Sequence, residues 1–187
     1  SSQVRVRREA LPVSAAHSVS SQRSHNRSQV DIGSLGLEFL AIEAMENDNH
    51  PSGHPDQNGM YRFTLDGINV GHMGDMGNDF SDQQMEFFSG VDILLAHAGG
   101  FPVISIEELD RIIKITKPKL VIPMHYCTPI YIPQDNLPIE HFLELFAPSD
   151  VETVAGSSAT ISLDNLPEKT RALVLQSAYR NEKNRSF

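Results

Sequence analysis

A carboxylate and an imidazole placed just beyond two apolar runs can converge on one point and bind a cation. Asp75 stands in Gly71-His72-Met73-Gly74-Asp75-Met76-Gly77, directly after Ile68-Asn69-Val70. His125 stands in Pro123-Met124-His125-Tyr126, directly after Lys119-Leu120-Val121-Ile122. Both runs read as short buried strands, and hard or borderline divalent metals accept a mixed oxygen and nitrogen donor set. The glycines flanking Asp75 allow the sharp backbone turn that would aim its carboxylate.

Other candidate ligands are weaker. His50 and His54 lie in the polar stretch Glu46 to Gly59, close enough in sequence to complete a site that needs three protein donors and a water. His72, beside a strand end, and Tyr126, beside His125, read as groups that orient ligands rather than bind the metal. His97 follows the apolar run Val91–Ala96 and reads as structural or incidental. His17 and His25 fall in a serine-rich opening and read as solvated, and His141 reads as one face of a helix. Cys127 has no evident histidine partner that would make it a nucleophile, so packing beside the site is the expectation.

Composition narrows the function classes. The 187 residues can bury one core, and 40% hydrophobic with 21% charged residues is a globular balance. No run approaches the roughly 18 apolar residues of a membrane span, and the opening residues do not read as a charged-then-apolar leader. One cysteine excludes an internal disulfide framework and suits a reducing, cytoplasmic setting. The net charge of −9 opposes nucleic-acid or anionic-membrane binding. Residues 1–30 carry five arginines against Glu9 alone, a net of +4, so residues 31–187 carry −13. The division expected is a basic, Ser-rich, poorly structured segment over 1–30 and a folded domain over 31–187.

The elements that must hold these residues alternate strand and helix. Leu37 to Met45 is apolar enough for a strand. Met60 to Leu65 alternates with period two, and Asp66-Gly67 provides a hairpin turn into Ile68–His72. Ser81 starts a short helix bearing Met85, Phe87 and Phe88. Val91–Ala96 and Lys119–Pro123 read as strands around a helix that Ser105 and Glu108 would open as a capping box and Lys117-Pro118 would end. A helix follows Pro138, with Phe142, Leu143 and Phe146 inward. Three short strands, Val151–Val154, Ala159–Leu163 and Arg171–Gln176, close the pattern, which is α/β or α+β.

In order and spacing, residues 35–178 resemble the metallo-β-lactamase superfamily, particularly its branch of zinc-dependent hydrolases similar to ascorbate-6-phosphate lactonase. The resemblance is carried by the hairpin Tyr61–His72, the Gly-rich loop around Asp75, Val91–Leu95 running into Gly99-Gly100, Pro118–Tyr126, and the helix from Pro138. It implies a partial αββα sandwich with a metal site at its edge. It also implies that Asp75 bridges metals and serves catalysis, that His125 binds one metal, and that a metal-bound hydroxide attacks an ester, lactone, amide or phosphoester of a small-molecule substrate. Zinc is the implied metal, with manganese or another divalent ion as the substitute.

The superfamily's His-x-His-x-Asp-His loop has no intact counterpart. In Ser14–Ser20, Ala15, Val19 and Ser20 stand where His, Asp and His would be, and only His17 remains. The resemblance therefore implies weak or absent metal binding and impaired hydrolysis; the alternative is a non-catalytic fragment or decayed paralogue serving as a structural or interaction domain. The missing opening strands would leave one sheet face bare, which predicts self-association as a homo-oligomer.

Overall fold

The computed structural model describes residues 4–7, 27–29, 38–46, 58–129 and 136–176. Among the described residues, ten strands and three α-helices form an eight-stranded mixed sheet, a two-stranded ribbon and a helical layer. The strands are β1 (Val4–Arg7), β2 (Arg27–Gln29), β3 (Glu38–Ala44), β4 (Asn58–Leu65), β5 (Ile68–His72), β6 (Ile93–His97), β7 (Leu120–Met124), β8 (Val151–Val154), β9 (Ser158–Ile161) and β10 (Arg171–Leu175). The helices are α1 (Asp82–Phe87), α2 (Ile106–Thr116) and α3 (Ile139–Leu143). The large sheet runs β2-β3-β4-β5-β6-β7-β10-β8, antiparallel up to β5 and parallel beyond it.

Local chemistry accounts for the punctuation. Asp66 and Gly67 both adopt positive φ, 51° and 81°, as a two-residue hairpin loop of the right twist requires, and Leu65 pairs with Ile68 across it. Ser81 and Gln84 exchange side-chain and backbone hydrogen bonds in a complete capping box at the start of α1. At α2 only half of the expected box forms. Ser105 Oγ accepts the Glu108 N–H at 3.1 Å, but the Glu108 carboxylate turns away to accept the N–H of Phe80. Lys117 ends α2 in the left-handed region at φ 49°, and Pro118 stops any continuation.

The parallel strands are apolar on both faces, as strands covered on both sides should be. Phe88, Leu94, Leu109, Ile112, Val121 and Phe142 form the helix-side core. On the other face Ile68, Val70, Ile93, Ile122, Leu173 and Leu175 pack with Ile161 of β9. The bare sheet face expected from the sequence is thus corrected: Ile68 and Ile93 are fully buried, packed with Ile161 and Ala159 of β9 and with Leu166. Within residues 1–30, β1 joins that ribbon and β2 pairs with β3. No described helix is long and apolar enough to cross a membrane.

Candidate metal centre

Three adjacent parallel strands, β5, β6 and β7, end at the same edge of the sheet, and each delivers one polar side chain there. The register aligns His72 with Leu95 and His97 with Met124. His97 is therefore the last residue of β6, His125 comes just after β7, and Asp75 lies three residues beyond the end of β5. Outside the carboxyl ends of parallel strands, open α/β sheets present their ligand-binding crevices.

The loop after β5 is fixed before it reaches Asp75. Met73 N–H donates to Leu95 O at 3.1 Å, prolonging the β5–β6 pairing by one residue. Gly74 then turns at φ 66°, and a Cβ there would lie only 2.2 Å from Gly59 O. Beyond Asp75, Gly77 N–H donates to Met45 O at 2.8 Å, and Ile104 N–H donates to Met76 O at 2.9 Å. Asp75 is held on both sides by backbone bonds to three different segments. His125 adopts φ 52°, an uncommon conformation for a residue with a Cβ, and this turns its side chain at the strand end.

The result is a cluster. Asp75, His97 and His125 each offer a donor atom within 4.8 Å of the others. His97 Nε2 lies 3.1 Å from Asp75 Oδ1, and the two imidazole rings have centroids 4.4 Å apart at an interplanar angle of 47°. The side chain of His97 is 4% exposed and that of Asp75 49%, so the cluster has a buried wall and a solvent side. Burial, followed by the neighbouring His97, pushes the His125 imidazole below its ordinary pKa, against a smaller opposite pull from Asp75. Burial and then His97 lower His72 likewise. Both rings therefore favour the neutral form, the form in which imidazole ligates a metal.

The donor set fits a divalent ion. Two imidazoles and a carboxylate make a three-ligand site with room for water or substrate. Metal bonds of roughly 2.0–2.2 Å space neighbouring ligand atoms by about 3.0–3.5 Å, and the His97–Asp75 separation of 3.1 Å falls in that interval. His97 Nδ1 is buried and accepts or donates no hydrogen bond among the described residues.

Sequence reasoning placed Asp75 and His125 at neighbouring strand ends, and the structure brings them together. His97, which the sequence reading set aside as structural or incidental, lies in the same cluster. The signal was present in the run Leu94-Leu95-Ala96-His97, a polar residue closing an apolar strand before Gly99-Gly100, the same arrangement as at the other two strands. His72 Nδ1 accepts the Gly74 N–H at 2.9 Å, so it braces the turn leading to Asp75. Tyr126 is buried in the helix-side core. His50 and His54 lie outside the described residues, as do His17, Ala15, Val19 and Ser20. Beyond β7, a cleft of about 520 Å³ opens between Cys127, Thr128, Pro129, Ile139 and Leu175. Cys127 Sγ donates to Asn136 O at 2.9 Å in its wall.

Comparison with known proteins accords with this geometry. Residues 13–125 match the model of a family described as the beta-lactamase superfamily domain. A metal-dependent hydrolase of Pyrococcus furiosus is 27% identical over 109 residues, 52% of this chain and 48% of that protein. One from Thermococcus kodakarensis is 26% identical over 139 residues, 69% of this chain and 62% of the relative. The chain spans about half the length of most of the curated relatives it matches. A crystal structure from Thermotoga maritima, provisionally described as a Zn-dependent hydrolase of the metallo-beta-lactamase superfamily, superposes with a TM-score of 0.64 at 27% identity. It covers 82% of this chain and 70% of its own. These descriptions name a metal-dependent hydrolase and no substrate, so they do not reach the ascorbate-6-phosphate lactonase branch.

Proposed function

We propose that this chain, which belongs to the metallo-β-lactamase superfamily, carries the metal-binding edge of a metal-dependent hydrolase. The convergence of Asp75, His97 and His125 at the ends of β5, β6 and β7 is the observation that supports this reading. These three residues would hold the ion, and zinc is the metal proposed from the donor set. A bound divalent ion supplies Lewis-acid polarisation of a carbonyl or phosphoryl oxygen and acidifies water.

The chain's own residues do the rest. His97, on the buried wall, closes the cluster to solvent from beneath, while the half-exposed Asp75 stands where substrate and water arrive. With Oδ1 beside His97 on the ion's side, Asp75 keeps Oδ2 available to take a proton as a nucleophilic water is consumed. The apolar walls of the cleft beside Cys127 suit the carbon skeleton of a small substrate. A lactone, of the class opened by ascorbate-6-phosphate lactonase, is the first substrate to try, followed by esters, amides and phosphoesters.

Three donors make a mononuclear site, whereas the superfamily's dinuclear arrangement draws on a His-x-His-x-Asp-His loop that Ala15, Val19 and Ser20 do not reproduce. We therefore expect zinc to bind weakly and hydrolysis to be slow. Metal analysis after dialysis against a weak chelator, paired with turnover of a lactone and phosphoester panel, tests both. One weakly held zinc per chain, lost in Asp75→Ala, is the expected result. Two tightly held zinc ions would show that the donor set has been misjudged. No zinc at any concentration would end the hydrolase reading for this chain.

A further inference from the structure

Asn136 is a buried polar residue, 9% exposed, that no part of the proposed chemistry uses. Its amide nitrogen makes two contacts, both to one residue: it lies 3.0 Å from His125 Nδ1 and donates to His125 O at 3.0 Å. An amide nitrogen can only donate, and a carbonyl oxygen can only accept. The contact with the carbonyl therefore fixes which end of the amide faces His125, and Nδ1 of the ring must be an acceptor.

The backbone around this pair is drawn equally tight. Leu137 N–H donates to Gly99 O at 2.6 Å, and Cys127 N–H donates to Leu137 O at 3.0 Å. A Cβ on Gly99 would fall 2.1 Å from His125 O and 2.7 Å from Asn136 Nδ2. Glycine at that position thus leaves the space in which the amide meets His125. Two residues before Gly99 stands His97, so the same clamp ties the ends of β6 and β7 together. It also holds His125 at φ 52°, a conformation that persists only where its surroundings enforce it.

We propose that Asn136 is a positioning residue that fixes the ring of His125 and selects the ring nitrogen it turns towards Asp75 and His97. With Nδ1 accepting from Asn136, Nε2 is the nitrogen that faces the cluster, and in the metal-free chain it carries the ring proton. A cation at Nε2 needs the lone pair there, so binding moves that proton to Nδ1. The Asn136 amide must then present its oxygen to Nδ1–H and give up its bond to the His125 carbonyl. Metal uptake and rotation of this one amide are coupled. The metal half of the proposal rests on the metal-site reading; the tautomer half does not.

Nitrogen-15 NMR of histidine-labelled, metal-free protein, at a pH where the ring is neutral, reads the tautomer directly. In the wild type His125 is expected in a single form with its proton on Nε2. Asn136→Asp keeps the size and removes the donor, so the carboxylate takes an Nδ1–H and the tautomer inverts. Asn136→Ala frees the ring to exchange between both forms. In chelator competition Asn136→Asp, whose Nε2 is already free of the ring proton, should bind zinc more tightly than the wild type. Loading wild type with zinc should shift its ring proton to Nδ1. A wild-type ring already averaging between tautomers, or an unchanged tautomer in a folded Asn136→Asp, overturns the proposal. If the wild type takes up no zinc while the tautomer pattern holds, the metal-site reading fails and the assignment of Asn136 stands.

Discussion

Glu108 is the residue whose loss the fold should feel most sharply for its size. Its side chain is 8% exposed, and it fastens α2 to the exit of the loop that carries Asp75. Oε1 accepts the Phe80 N–H at 3.0 Å, while Arg111 donates Nε to Oε2 at 2.6 Å and Nη2 to Phe80 O at 3.1 Å. In Glu108→Ala the buried Phe80 N–H loses its acceptor, which costs about 1–3 kcal/mol. The guanidinium of Arg111 is nearly half exposed, so breaking its ion pair adds at most about 1 kcal/mol. The variant should therefore lose about 1–4 kcal/mol, a fall in Tm of roughly 2–16 °C for a chain of this size.

The pH dependence has a definite sign. Burial alone would raise the Glu108 carboxyl, but the hydrogen bonds from Arg111 and Phe80 and the Arg111 charge outweigh it and hold the pKa below the ordinary value. A depressed folded-state pKa contributes stability above the unfolded-state value, and that contribution disappears as pH falls through the folded value. Glu108→Gln keeps an acceptor for Phe80 and removes only the charge. Its deficit, about 1 kcal/mol at neutral pH, should close in acid, where the wild-type carboxyl is itself neutral. Denaturant unfolding at neutral and acidic pH reads both. A Glu108→Ala variant within about 0.5 kcal/mol of wild type, or a Glu108→Gln deficit that does not change with pH, would refute the reasoning.

Three further outcomes follow from the packing and the cluster. His97→Ala should weaken zinc binding, measured by chelator competition, by more than the roughly 10–100-fold typical of a supporting group; unchanged affinity would remove His97 from the donor set. Phe88→Ala, at a fully buried position, should cost about 3–5 kcal/mol in denaturant unfolding, whereas Ile115→Ala, 53% exposed, should stay within about 0.5 kcal/mol. Gly74→Ala must hold a Cβ at φ 66° against Gly59 O, and should destabilise by at least about 1–3 kcal/mol in the same assay.

What the sequence disclosed was what depends on local pattern. The period-two strand before Asp66-Gly67, the cap at Ser81 and the apolar runs before Asp75 and His125 all became elements within a residue or two of their expected bounds. His97 escaped because it closes a fully apolar strand, where a lone histidine ordinarily packs; only the three-strand register places it opposite Met124 and beside Asp75. Glu108 was legible as a cap but not as an anchor, since Phe80 is 28 residues away and meets it only in the folded chain. Asn136 carried no signal at all, because its partner is a backbone carbonyl and a ring nitrogen supplied by another strand end. The bare sheet face was expected because its cover comes from β9, a four-residue strand of low hydrophobicity whose Ile161 packs there.

The change from antiparallel to parallel pairing at β5 also sets an order of assembly. β3, β4 and β5 form a meander whose neighbours follow one another along the chain, so loop closure costs them little. On the parallel side each contact spans a long excursion, and Leu120 of β7 meets Arg171 of β10 only after half a hundred intervening residues. Contacts of that range form slowly. The meander should condense first and offer β5 as a template on which β6, then β7 with β10, are laid down. The loop of Asp75 bonds to Leu95 of β6 and to Ile104, so Asp75 settles only once β6 is laid down, and His97 and His125 arrive with the parallel strands. A cation that needs all three donors cannot seed this chain's folding; it can only trap the finished sheet, and so it would slow unfolding while leaving the rate of folding almost unchanged.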